Sequence, residues 1–341
     1  MSPAVVSRVF NEDPTLNLRD ETRAAVVQAI KALGYTPHSA AQGLRKARTR
    51  TIGLVLDQAT NPMLTDVVTG AQRAALRAGY VVILIDAKEI EEGRSLVQNM
   101  IASSRIDGLL LHAGFGSGAE KVIDLAAGLP AVVLNDPGPA KLSSVRLDDE
   151  AAVQLAARHL VDLGHRHIGF VEAHDSSTSN RRRDAFLRET GGEMADIKKT
   201  VVPCGGWTPQ QSHDAVVKQL ETEKAPTAYI AVNAISAVGV MSGLTASGFS
   251  VPRDVSVIAI HDGWFAPHLN PPLTTIRLPL PDLGRAAVEL LISLLEGAEA
   301  VHLIIDDPAP TLVQRHSTAI PPAPKATRSG KKQAYKSSHE D

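Results

Sequence analysis

From residue 51 onward the chain alternates two hydrophobic patterns. Short, nearly unbroken apolar runs predict strands over 51–56, 80–86, 107–112, 131–135, 167–171, 227–232 and 255–261. Between them apolar residues return every three to four positions, which predicts helices over 63–78, 96–104, 148–163, 209–220 and 235–247, with one more over 282–295. Runs of Val, Ile and Leu separated by amphipathic helices imply parallel sheets covered on both faces. Two successive sets of such units imply an α/β fold of two doubly wound, parallel-sheet subdomains. Ahead of them the pattern is helical only. Ser2 suits an N-cap, Pro3 suits the first helical position, and Val5, Val6, Val9 and Phe10 form an apolar stripe. Ala4, Ser7, Arg8 and Asn11 face away from that stripe, small and polar enough to enter a major groove. A second helix opens at Thr22-Arg23, repeats Ala25, Val26, Ala29, Ile30 and Leu33, and ends at Gly34.

Charge sharpens the division. Residues 1–50 hold eight Lys/Arg against four Asp/Glu, a surplus of four, so the rest of the chain carries −6 to reach the overall −2. A basic end on an acidic body points to an anionic partner for the N-terminal segment. The lone Cys204 excludes an intrachain disulfide and fits a reducing compartment. No apolar run approaches the roughly 20 residues of a membrane helix, and the first residues lack the apolar core of a signal peptide. A cytoplasmic protein without membrane contact is expected. After Thr318 the composition turns to Pro, Lys, Arg, Ser and Gly, which predicts a disordered basic tail over 319–341.

In doubly wound folds ligands bind beyond the carboxyl ends of the strands. The residues there are Asp57, Gln58 and Asn61 after the first strand, His112 after the third, Asp136 after the fourth, and His174, Asp175 and Arg182 after the fifth. Trp207, Asn233, His261 and Asp262 follow later strands. Amides, carboxylates, an arginine and one indole suit a neutral polyol or nucleoside. Arg182 stands in the run Arg181-Arg182-Arg183, a pattern more typical of a solvated face, and a tryptophan such as Trp207 is more often a core or rim residue than a stacking platform. His165 and His167 read as structural. No histidine pair shows metal-ligand spacing, so no metal or cofactor is expected. Gly114-Phe115-Gly116-Ser117-Gly118 is not a dinucleotide fingerprint and there is no nucleophile elbow, which argues against an enzyme.

The order Ser2-Pro3-Ala4-x-Val6-Ser7-Arg8-Val9-x-Asn11, Thr22-Arg23, Leu33-Gly34-Tyr35-x-Pro37, Ala41-x-x-Leu44 and Ile52-Gly53 resembles the lactose-repressor (LacI/GalR) family of bacterial transcription regulators. The likeness continues to about residue 318 and includes Pro271-Pro272-Leu273-Thr274-Thr275-Ile276. It implies a periplasmic-binding-protein-like pair of subdomains, 51–148 with 278–305 and 149–277 with 306–318, behind a partial helix-turn-helix and hinge over 1–50. It also implies a homodimeric repressor released from operator DNA by a small sugar-like effector. Ser2, Pro3, Ala4, Ser7, Arg8 and Asn11 then serve the major groove, and Leu44 wedges into the minor groove. The effector is expected at Asp57, Asn61, His112, Asp136, Arg182, Trp207, Asn233, His261 and Asp262.

Two positions depart from the family pattern. Asn233-Ala234 stands where Asn-Asp is usual, and His261-Asp262 where Asp-Asp is usual, which leaves open an effector other than the simple sugars of relatives, or an acidic one. The family also carries about a dozen residues before the position of Ser2, forming the first helix of the motif. Met1 stands where relatives usually have valine, so an upstream start is expected, with weak operator binding by the form that begins at Met1. The alternative is a binding protein of the same bilobal fold that does not hold DNA alone because its DNA-binding segment is truncated.

Overall fold

The computed structural model describes residues 2–10, 13, 15–33, 48–56, 64–91, 99–101, 103, 105–112, 128–139, 141–173, 176–188 and 196–323. Of the expected site residues, Asn11, Leu44, Asp57 and Asn61 lie outside this set, as do the side chains of Pro3, Ala4 and Ser7. The expected tail from 324 onward also lies outside it.

Helix α1 (Pro3–Phe10) begins with the amides of Val5 and Val6 donating to the Ser2 carbonyl, at 3.0 and 3.3 Å. Helix α2 (Asp20–Leu33) starts two residues before the expected Thr22, because Asp20 and Glu21 place negative charge on its electropositive first turn. The two helices pack together, and Val9 and Val26 are their buried apolar side chains.

The chain then builds β1 (Thr51–Leu56), α3 (Thr65–Arg77), β2 (Val81–Asp86), α4 (Ala87–Glu91), β3 (Gly108–His112), β4 (Ala131–Leu134) and β5 (Ser143–Leu147). It crosses into α5 (Asp149–Asp162), β6 (His167–Glu172), α6 (Ser177–Arg188), β7 (Lys198–Pro203), α7 (Pro209–Thr222), β8 (Ala228–Ala231), α8 (Ala234–Ala246), β9 (Ser256–Ile260) and β10 (Thr274–Arg277). It returns through α9 (Leu280–Leu295) and β11 (His302–Ile305), then ends on β12 (Thr311–Val313). The first sheet has the order β11-β5-β4-β3-β1-β2 and the second β12-β10-β9-β8-β6-β7. Every pairing is parallel except β12 against β10. These are the two parallel-sheet subdomains that the hydrophobic alternation predicts.

Each subdomain closes around a helix pair joined at glycine. A Cβ on Gly70 of α3 would sit 2.0 Å from the Pro281 carbonyl oxygen of α9, and one on Gly284 2.1 Å from that of Val67. In the second subdomain a Cβ on Gly239 of α8 would sit 2.0 Å from the Pro209 oxygen of α7. Only a residue without a side chain permits backbones this close. Helix α9 thus packs on the first subdomain, although the chain reaches it from the second.

The end of the ordered body is bonded to the second sheet. The Ala319 amide donates to Ser256 Oγ at 3.0 Å, one residue past the composition boundary at Thr318. His165 sits beneath this segment, 2.9 Å from Thr227 Oγ1, 3.1 Å from Ser256 Oγ and 2.9 Å from the Ala319 oxygen. His165 is therefore structural, as is His167, whose Nε2 lies 3.0 Å from Thr200 Oγ1.

Candidate functional site

The strand exits of the two sheets bring most of the expected residues into two groups. From the first sheet come His112, the last residue of β3, and Asn135-Asp136, which follow β4. From the second come Asn233 after β8, His261 after β9, and Arg182 on α6. Asn135 and His261 turn the chain with φ of 58° and 85°, a conformation rare outside glycine and held here by surrounding bonds. The His261 amide donates to the Ile276 carbonyl at 2.7 Å, and the Asn135 amide to Val145 at 2.7 Å.

Arg182 is 4% exposed. Its Nε donates to Asp149 Oδ1 at 2.8 Å and its Nη1 to the Val232 carbonyl at 2.7 Å. The arginine run is thus split by the helix. Arg182 points inward, Arg181 donates to Asp149 Oδ2 at 2.8 Å, and Arg183 turns outward to Asp184 and Glu172. Asp149 is buried, so this carboxylate neutralises two guanidinium groups at the root of the cleft.

Arg181 and its neighbours also tie α6 to the first sheet. Arg181 Nη2 donates to the Asn135 carbonyl at 2.9 Å, Thr178 Oγ1 to the same oxygen at 3.1 Å, and Asn135 Nδ2 to Thr178 Oγ1 at 3.3 Å. Ser177 Oγ donates to Asp136 Oδ2. One strand exit of the first subdomain is therefore held by one helix of the second. Sequence reasoning missed Asp149, Asn135, Ser177, Thr178 and Arg181. The signal available was the pair of polar doublets that directly follow strands, Asp148-Asp149 and Asn135-Asp136.

The two histidines are left wanting. His112 Nδ1 and His261 Nε2 are buried and have no hydrogen-bond partner among the described residues. Burial pushes the His112 imidazole down to about 4, against the opposing charge of Asp136. Burial, then the charge of Arg182, push His261 down to about 3, with Asp262 opposing. Both rings are neutral at pH 7 and offer one donor and one acceptor each.

The remaining expected residues are placed otherwise. Asn233 Oδ1 accepts the Ser236 amide at 2.7 Å and caps α8. Asp262 is bonded to Thr275 at 2.8 Å, Arg277 at 2.7 Å and Arg315 at 2.8 Å, which makes it a brace between β10 and the final segment. Trp207 is partly buried against the core cluster that holds Phe170 and Phe186. No described contact joins it to Arg182. Among the described residues no group of three or more His, Cys, Asp or Glu could hold a metal ion.

In the N-terminal segment Arg8 is engaged within the chain. Its Nε donates to Asp13 Oδ2 at 2.8 Å and its Nη2 to Thr15 Oγ1 at 2.9 Å. The Thr15 hydroxyl, then Arg8, hold the Asp13 carboxyl well below the usual range. Residues after the expected linker are anchored to the first sheet, where the amides of Thr49 and Arg50 donate to Asp107 at 2.7 and 2.8 Å.

Comparison with known proteins agrees with this architecture. The periplasmic binding protein-like domain family matches residues 157–318. The HTH-type transcriptional repressor PurR of Vibrio cholerae is 30% identical over 322 residues, covering 92% of this chain and 94% of that protein. A LacI family transcriptional regulator from Mycobacterium smegmatis superposes with a TM-score of 0.71 and 29% identity, over 79% of this chain and 99% of its own. The lac repressor dimer bound to operator and the anti-inducer ONPF superposes with a TM-score of 0.80 and 25% identity, over 94% and 96%.

Proposed function

Because this chain belongs to the LacI family of transcriptional regulators, we propose that it is a repressor whose hold on operator DNA is set by a small polar effector in the cleft between the two subdomains. The observation that carries the reading is the set of bonds from Asn135 and Asp136 to Ser177, Thr178 and Arg181. They join the subdomains at the cleft itself, so a ligand there favours or breaks them. A ligand shifts such an equilibrium only by its differential affinity for the two arrangements, typically about 1–3 kcal/mol in coupled systems. The anchoring of Thr49 and Arg50 to Asp107 carries a change in the first subdomain to the segment that precedes it.

The effector in this reading is uncharged and hydroxyl-rich: a sugar, a related polyol or a nucleoside. His261 supplies a neutral imidazole where the family usually has a carboxylate, and His112 offers a second unpartnered nitrogen. Arg182, held by Asp149 and the Val232 carbonyl, supplies a fixed guanidinium for a hydroxyl oxygen. Asp136 stands beside them, while Asp57, Asn61, Trp207 and Asp262 contribute less directly or from outside the described set.

The protein acts as a homodimer on inverted half-sites, with Ser2, Pro3, Ala4, Ser7, Arg8 and Asn11 at the major groove and Leu44 at the hinge. Exposed Leu76, Val81 and Leu84 on α3 and edge strand β2 supply an apolar surface for self-association. Titration calorimetry over a panel of sugars, sugar acids and nucleosides tests the effector class. Absence of binding to every uncharged member contradicts it. A second reading, an effector-binding protein that does not hold DNA alone, is favoured by the engagement of Arg8 with Asp13 and Thr15. Specific binding to DNA upstream of the protein's own gene separates the two.

A further inference from the structure

Beside the cleft, where β5 hands over to α5, lies a hollow of about 650 Å³. Arg146 lines it from β5, Arg181 and Arg188 from α6, and the carboxylates of Asp148, Asp149 and Glu150 lie between them, Asp148 engaged in capping α5 and Asp149 in pairing with two arginines. Arg181 and Asp149 are shared with the network at the root of the cleft, and the others lie outside the effector site proposed above. We propose that this hollow is a second ligand site, which takes a small metabolite bearing one carboxylate or phosphate group.

Three observations point to an anion. Arg146 is half-buried and has no hydrogen-bond or ion-pair partner among the described residues, whereas a guanidinium withdrawn from water normally finds one. Arg188 donates through Nε to the Asp184 carbonyl at 3.3 Å, and its Nη2 meets Glu150 at 3.5 Å with both side chains more than half exposed, so that ion pair exchanges readily for a better one. Helix α5 starts at the same place. The Asp148 side chain caps the Ala151 amide, and the amides of Asp149 and Glu150 are left without partners among the described residues. Arg181 is fully engaged with Asp149 and Asn135, so it shapes the wall rather than holding the ligand.

Leu147 and the half-exposed Ile304 add an apolar wall, which suits the carbon skeleton of a compact metabolite. A hollow of this volume is in the range of small-molecule sites. An anion bridging Arg146 of one subdomain and Arg188 of the other stabilises the arrangement in which they face each other. By linkage it alters effector affinity in the cleft by the same factor that the effector alters its own.

The test is titration calorimetry of the full chain with three probes: inorganic phosphate, glucose 6-phosphate and gluconate. Arg146→Gln, Arg188→Gln and His261→Ala are titrated alongside, and circular dichroism verifies the fold of each. The expected result is saturable binding of the phosphate ester or the sugar acid, weakened about tenfold in each arginine variant, equal to about 1.4 kcal/mol, and retained in His261→Ala. Preference for glucose 6-phosphate assigns a phosphoryl ligand, and preference for gluconate a carboxylate. Arg188 is 63% exposed, so its variant serves should Arg146→Gln fail to fold. Absence of binding to all three probes up to about 10 mM overturns the proposal. So does equal binding by the parent and the arginine variants, or loss of binding in His261→Ala, which places the ligand in the cleft.

Discussion

Replacing Asp149 with asparagine tests the root of the cleft. The carboxylate is buried and sits 2.8 Å from both Arg182 Nε and Arg181 Nη2. Asparagine keeps the shape but offers one neutral acceptor to two guanidinium groups. Arg182, 4% exposed, is then a buried charge held by neutral acceptors alone, the Val232 carbonyl and the shared amide oxygen. Breaking a buried pair from one side costs about 3–5 kcal/mol. Arg181 has a side chain 20% exposed and can turn to water, so it adds little beyond that. Asp149→Asn should therefore lose about 3–5 kcal/mol. Arg181→Gln should lose only about 1 kcal/mol, because Asp149 keeps Arg182. Urea unfolding followed by circular dichroism and tryptophan fluorescence reads both. A loss below about 1 kcal/mol in Asp149→Asn, within the spread of ordinary substitutions, refutes the reasoning.

Gly284→Ala should destabilise the first subdomain by about 1–3 kcal/mol, since its Cβ meets the Val67 oxygen at 2.1 Å; a thermal midpoint unchanged from the parent contradicts this. Acidification should weaken the fold through His112 and His261, which stay neutral down to about 4 and about 3, against 6.5 unfolded. The unfolded chain takes up these protons first, so stability is intact above pH 6.5 and falls as pH drops toward 4. At pH 5 the loss is about 2 kcal/mol for each ring, from about 1.36 kcal/mol per pH unit, and equal urea midpoints at pH 7 and pH 5 sink the argument. Leu44→Ala should weaken and straighten operator complexes while leaving the body folded, because an apolar wedge offsets an unstacking cost of about a few kcal/mol; unchanged bending in a gel assay rules the wedge out.

The two sheets were legible because their central strands are rich in Val, Ile and Leu buried on both faces, as in β1, β3, β4 and β9. What the hydrophobic pattern hid were elements that bury polar side chains or bury little. Strand β5 places Ser143 and Ser144 inside, where their hydroxyls bond the Val301 amide and His302. Strands β7 and β11 are sheet edges and bury at most one residue each. Helix α6 turns Ser179, Arg182, Ala185 and Phe186 inward, a helical period that appears only when serine and arginine are counted as buried. Residues that end strands, His112, Asp136 and His261, could be placed from the sequence alone. The groups that bond Asn135, Asp136 and Arg182 could not, because Thr178, Ser177 and Asp149 sit at helix starts, where a capping residue carries the same signature. Asp262 shows the converse. Its position beyond β9 suggested a ligand contact, but two arginines far along the chain, Arg277 and Arg315, claim it.

The most direct test of the account is the affinity of the protein for DNA from upstream of its own gene, read by fluorescence anisotropy with and without a ligand shown by calorimetry to bind the cleft. The account predicts that the ligand weakens specific DNA binding by about 5–150-fold, the range that 1–3 kcal/mol of coupling allows, and that DNA weakens ligand binding by the same factor. Specific DNA affinity that stays constant while the cleft is saturated would contradict it.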